Sequence, residues 1–142
     1  MFKKLRKNEK GFTLAELLIV VAIIGVLVAI SIPIFTSQLE KAREATDMAN
    51  IRSAYAEVSA NALTEEGAVT EKKEGNVTIN AVAADATEMT ATVTLTQKKN
   101  DWEKNATPSI GGMTVTGTPK ASGTATISVK RDGSGATLKY SE

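Results

Sequence analysis

The chain has 142 residues, 17 Lys and Arg against 16 Asp and Glu, and neither cysteine nor histidine. A thiol nucleophile, a Ser-His-Asp relay, a Cys/His zinc site and a disulfide framework are all excluded, which leaves carboxylates, lysines and hydroxyls for chemistry. The near-neutral total hides a division: Met1 to Gly11 carries five bases against the single acid Glu9 and is +4, leaving the remainder at −3.

That basic tail stands in front of an apolar run rather than on a folded domain, so it fits a membrane-orientation signal better than a nucleic-acid groove. From Phe12 to Phe35 the residues are FTLAELLIVVAIIGVLVAISIPIF, with no charge after Glu16 until Glu40. About 20 apolar residues cross a hydrocarbon core of roughly 30 Å. A cleaved secretory signal has a shorter apolar stretch, about 7 to 15 residues, followed by a small-x-small site; this one runs on into Ser31-Ile32-Pro33-Ile34-Phe35. The charge asymmetry puts the N-terminus in the cytoplasm and the rest outside.

Composition alone fits a plain signal anchor, and Glu16 argues against it. A carboxylate inside a membrane helix costs up to about 3 kcal/mol on insertion scales, less near the interface, and is by default functional. No Lys or Arg lies between residues 11 and 40 to pair with it. Its partner has to come from another subunit or from a new amino terminus made by cutting the chain. Opposite charges at about 4 Å attract by roughly 4 kcal/mol at an effective dielectric near 20.

Lys10-Gly11-Phe12-Thr13-Leu14-Ala15-Glu16, after a basic leader and before a long apolar helix, resembles the class III signal of type IV pilins and pseudopilins. The resemblance implies cleavage between Gly11 and Phe12 by a prepilin peptidase, N-methylation of Phe12, and an assembly role for Glu16 against a neighbour's amino terminus. It implies an inner-membrane protein before assembly and a homopolymeric surface filament after it, with an assembly platform and motor as partners. It also implies local unwinding between Gly25 and Pro33 when packed. Physically, Gly25 admits a close neighbour, and Pro33 removes one backbone hydrogen bond and crowds the Ala29 carbonyl, so a simple kink is the alternative in a free subunit.

Beyond Pro33 the helical period continues through Leu39, Ala42, Ala45, Met48, Ile51, Tyr55, Val58 and Ala62, with charged residues on the other faces and Glu40, Arg43, Glu44 and Asp47 spaced for local pairs. Gly67, after Glu65-Glu66, is a stop signal. A helix from Phe12 to about Leu63 is on the order of 80 Å long, the stick of a lollipop. From Asn76 the period becomes two: Val77 and Ile79, then Met89 to Thr96, then Met113 and Val115, then Ala125, Ile127 and Val129, then Ala136, Leu138 and Tyr140 after an Arg131-Asp132-Gly133-Ser134-Gly135 turn.

The expected fold is α+β, the type IV pilin fold by resemblance: a basic leader (1–11), an apolar half-helix (12–36), an amphipathic half-helix (37–66) and a head of four or five antiparallel strands (67–142). Many pilins of double-membraned bacteria close a C-terminal loop with a disulfide; its absence here points to a Gram-positive source. Asn76-Val77-Thr78 and Asn105-Ala106-Thr107 fit the glycosylation pattern, which arises readily by chance in a Thr-rich chain. No spaced acids ask for calcium, no glycine-rich loop for phosphate, and Lys98-Lys99 and Lys130-Arg131 are too sparse for a DNA groove. No catalytic residue, metal or cofactor is expected. A pilus subunit that is not an enzyme leads. The rivals are a pseudopilin of a type II secretion or DNA-uptake system and a signal-anchored binding module.

Overall fold

The computed structural model describes residues 11–64, 67–102 and 109–141. Residues 1–10 of the basic leader, Glu65-Glu66 and the Asn105 pattern lie outside the described residues. One helix, α1 (Leu14–Thr64), is followed by six strands: β1 (Lys72–Glu74), β2 (Val77–Ile79), β3 (Glu88–Thr94), β4 (Thr114–Thr116), β5 (Thr124–Lys130) and β6 (Ala136–Ser141). The chain divides into two compact units, 1–38 and 39–142.

In the first unit α1 is helical without interruption through Gly25 and Pro33. Its aliphatic residues resist no β alternative, because they run all round the helix rather than alternating, and leucine and alanine are good helix formers. Ser31 Oγ donates to the Leu27 carbonyl at 2.7 Å and Thr36 Oγ1 to the Pro33 carbonyl at 2.9 Å, so both hydroxyls are satisfied within the helix. The large apolar side chains from Leu14 to Phe35 are exposed. Each would gain about 1.5 to 3 kcal/mol on leaving water, so this face needs a cover of lipid or protein.

In the second unit the remainder of α1 lies on a sheet of order β1-β2-β3-β5-β6-β4. The central register sets Ala91 opposite Ile127, Val93 opposite Ala125, and Ile127 opposite Leu138. Small residues thus alternate with large ones, which lets Ile51, Ala54 and Val58 of α1 interdigitate with them in a single core. Outward positions on these strands are mostly threonine and serine, the hydroxylated β-formers that suit a solvated face. The turn after β5 forms as its composition requires: Gly133 has φ 72°, and Ser134 N–H donates to Asp132 Oδ1 at 2.8 Å. Gly111, at φ 57°, lies so close to Tyr55 that a Cβ there would meet the ring, and Tyr55 donates its hydroxyl proton to the Gly111 carbonyl at 3.2 Å.

The structure corrects three expectations. Among the described residues there are six strands rather than four or five, because β1 is Lys-Lys-Glu, wholly exposed and without apolar alternation. The sheet is not purely antiparallel: β4 pairs with β6 in parallel. On α1, Leu39, Ala42 and Ala45 are exposed, whereas Glu40 and Asp47 are buried beside the line continued by Ile51, Ala54, Val58 and Ala62.

Because Ile127 is fully buried between two paired strands and under α1, Ile127→Ala is expected to lower stability by about 3 kcal/mol. Chemical unfolding of the full chain in detergent micelles measures this.

Candidate functional site

Thr13 is the N-cap of α1. Its backbone N–H donates to Glu16 Oε2 at 2.9 Å, and Glu16 N–H donates to Thr13 Oγ1 at 3.2 Å. This reciprocal capping box satisfies two of the amides that a helix start leaves bare. Thr13-Leu14-Ala15-Glu16 has the box spacing, a signal that the sequence reading of Glu16 as an unpartnered acid did not use. Gly11 and Phe12 precede the helix, and Phe12 is 91% exposed. With Glu16, Leu17 and Val20 they line an open, mainly apolar groove. The structure therefore brings Gly11, Phe12 and Glu16 to one end of α1, while Gly25 and Pro33 lie further along the same helix. Gly25 has no neighbour within 4 Å of where a Cβ would stand, leaving its side open.

A second constellation was not legible as such. Asp47, fully buried, accepts from Thr96 N–H with both oxygens at 2.8 and 2.9 Å, from Thr96 Oγ1 at 2.8 Å, and from Gln97 N–H at 2.9 Å. Two turns earlier Glu40 Oε1 accepts from Lys98 N–H at 2.6 Å and Lys99 N–H at 2.7 Å, while Oε2 accepts from Arg43 at 3.2 Å. The chain leaves β3 at Thr94, and the next bare amides are taken by the helix instead of by another strand. Gln97 completes the bend by donating from Nε2 to the carbonyls of Lys99 at 2.8 Å and Asp101 at 3.3 Å. The expected Glu40–Arg43 pair exists, but the dominant partners of both acids are backbone amides. The usable signal was spacing: Asp47 lies four residues before Ile51 and seven after Glu40, on the face that Ala54 and Val58 share.

Burial is the largest influence on Glu40 and pushes its carboxyl up, but the amides of Lys99 and Lys98 together with Arg43 outweigh it and hold the group below its ordinary 4.5. Farther round the core, Trp102 meets Tyr140 edge to face, with ring centroids 6.2 Å apart and planes at 77°. Burial drives the Tyr140 phenol up to about 12, with Trp102 opposing, so it stays protonated. Among the described residues no group of three or more acids is placed to hold a metal. The groove at the sheet edge is lined by Glu57 and Lys72, which form an ion pair at 2.9 Å.

Residues 6–32 match the prokaryotic N-terminal methylation motif. A fimbrial protein of Pseudomonas aeruginosa is 46% identical over 68 residues, 48% of this chain and 40% of that protein. The type IV narrow pilus major component PilA5 of Thermus thermophilus is 50% identical over 52 residues, 34% of this chain and 45% of its own length. The type IV major pilin protein PilA of Myxococcus xanthus is 44% identical over 48 residues, 34% of this chain and 22% of its own. The chain thus spans less than half the length of these relatives. No solved structure matches. The chain carries the methylation motif of the prepilin class III signal at its N-terminus. Its long apolar helix and antiparallel-rich α+β head are consistent with the type IV pilin fold, and these relatives are structural pilins.

Asp47→Ala removes the acceptor of three donors, two on half-buried Thr96 and one on buried Gln97, and the chain is expected to lose about 3 kcal/mol of stability, read by thermal unfolding in micelles. For Glu40 the folded carboxyl is depressed, so its stabilisation is complete above the unfolded value and lost as pH falls through the folded one. The thermal midpoint should therefore fall as the medium is acidified below about pH 4.5, and Glu40→Gln should flatten that part of the profile.

Proposed function

We propose that this chain is the precursor of the major structural subunit of a type IV pilus. One observation carries the reading: the methylation motif over 6–32 coincides with an exposed Phe12, an acid in the first turn of α1, and an apolar helix surface exposed from Leu14 to Phe35. Before assembly α1 anchors the chain in the inner membrane with its N-terminus in the cytoplasm; it is long and apolar enough to cross. A prepilin peptidase cuts between Gly11 and Phe12, and Phe12 is then N-methylated.

The capping box gives the assembly step its chemistry. Thr13 N–H occupies Glu16 Oε2, and a carboxylate retains further acceptor sites. The Phe12 ammonium of a neighbouring copy takes that place, which cancels two charges in an apolar surround where either alone would be costly. Helix packing then replaces lipid contact. Lipid is itself apolar, so close packing and the charge pair direct assembly more than hydrophobic gain does, and the assembly platform and motor supply the work of extraction. Gly25 to Pro33 is the stretch that unwinds to fit the packed array. The similarity to fimbrial proteins and major pilins favours a pilus subunit over a pseudopilin.

Mass spectrometry of the mature chain should give a start at Phe12 with one added methyl group; an intact Met1 would rule the reading out. Glu16→Ala should be processed normally yet yield many-fold fewer filaments by electron microscopy, and wild-type filament numbers would show the charge pair to be dispensable.

A further inference from the structure

From Leu17 to Phe35 a single side chain can donate a hydrogen bond, that of Ser31. Its Oγ donates to the Leu27 carbonyl at 2.7 Å, the same carbonyl to which a helix directs the Ser31 N–H. Two residues on, Pro33 has no N–H for the Ala29 carbonyl and crowds it. The stretch between Gly25 and Pro33 is also helical against its own local preference. Although it is almost wholly apolar, every second residue is β-branched: Val26, Val28, Ile30 and Ile32, with Ile34 just beyond. Such side chains lose rotamers in a helix and fit extended backbone, and glycine, here Gly25, is a weak helix former.

The surroundings of the stretch decide which preference wins. In lipid each carbonyl must find a donor within its own segment, and the unbroken ladder of α1 provides those donors, Pro33 apart. Opening residues 25–33 takes donors away from the carbonyls of residues 21–29, Leu27 among them. A packed array of apolar helices offers no water in their place, so a bare carbonyl there is costly. We propose that Ser31 is the positioning residue of this opening: its hydroxyl keeps the Leu27 carbonyl satisfied as the backbone bonds around it part. The stretch can then extend without leaving that group bare. This rests on the reading that residues 25–33 unwind when subunits pack.

Leu27-Val28 is the one Leu-Val pair in the chain. Labelling leucine at its carbonyl carbon and valine at its nitrogen therefore isolates the Leu27 carbonyl in solid-state NMR of the full chain, in vesicles and in filaments. Ser31→Thr keeps a hydroxyl that reaches the carbonyl four residues back, and Ser31→Val has the same β-branched shape without it. In vesicles the Leu27 carbonyl should hold its wild-type shift in Ser31→Thr and move upfield in Ser31→Val. Cells carrying Ser31→Val should yield about tenfold fewer filaments by electron microscopy, which corresponds to about 1.4 kcal/mol for one bare carbonyl. Subunits should still start at Phe12, and Ser31→Thr should restore the filament number. Wild-type numbers from Ser31→Val, or a Leu27 shift that does not separate Ser31→Val from Ser31→Thr, overturn the role of Ser31. A Leu27 carbonyl in wild-type filaments that keeps the helical shift it has in vesicles overturns the unwinding itself, and the role of Ser31 with it.

Discussion

Four consecutive amides, from Thr96 to Lys99, find their acceptors in two carboxylates on one face of α1, and the arrangement of the head follows from that exchange. Burying an acid is unfavourable unless charge-assisted hydrogen bonds replace its water. Asp47 and Glu40 obtain that replacement from a segment that has just left β3 and has no strand partner. Each side resolves the other's deficit: the helix loses two hydrated charges, and the loop loses four bare donors. The fixed bend then places Trp102 against Tyr140 and positions the 119–123 loop, whose Gly123 carbonyl accepts from Leu95 N–H at 2.9 Å. The second half of α1 is therefore more than an apolar stripe under a sheet. It is also the acceptor surface for the sheet's longest excursion.

The two units satisfy their chains by opposite means. The head encloses Ile51, Ala54, Val58, Met89, Val93 and Ile127 in a core of its own. The first unit encloses almost nothing. Its backbone is satisfied within the helix, yet its side chains face outward, an arrangement stable only in an apolar solvent or a packed array. Glu16 fits this division, since its own helix start shares the charge with Thr13.

Features with a strong local cause were legible in the sequence. The apolar run predicts α1, the alternation from Met89 onward predicts β3, and Arg131 to Gly135 predicts the turn before β6; each rests on a period or a residue type that the backbone itself demands. Gly11, Phe12 and Glu16 stand out only through the resemblance of their segment to the class III signal. Features with a distant cause were not. Glu40 and Asp47 read as surface charges because their partners lie 49 to 59 residues away, and nothing local distinguishes a solvated acid from one that will cap a loop. The helix stripe was misplaced for the same reason: Leu39, Ala42 and Ala45 have the right chemistry, but the face was set by where residues 96–99 dock. Likewise β1 is defined by its neighbour in the sheet, and Met113 and Val115 mark β4 itself but not its parallel pairing with β6.

Both borders of the sheet are short. β1 spans Lys72–Glu74 and is fully exposed, and β4 spans Thr114–Thr116. Three-residue borders, one of them charged throughout, give a visiting strand little to register against. Any assembly that crowds many identical heads together risks strand exchange and amyloid-like growth between them. A short charged border at β1 and a three-residue border at β4 are the features that would let identical heads crowd together without their sheets joining.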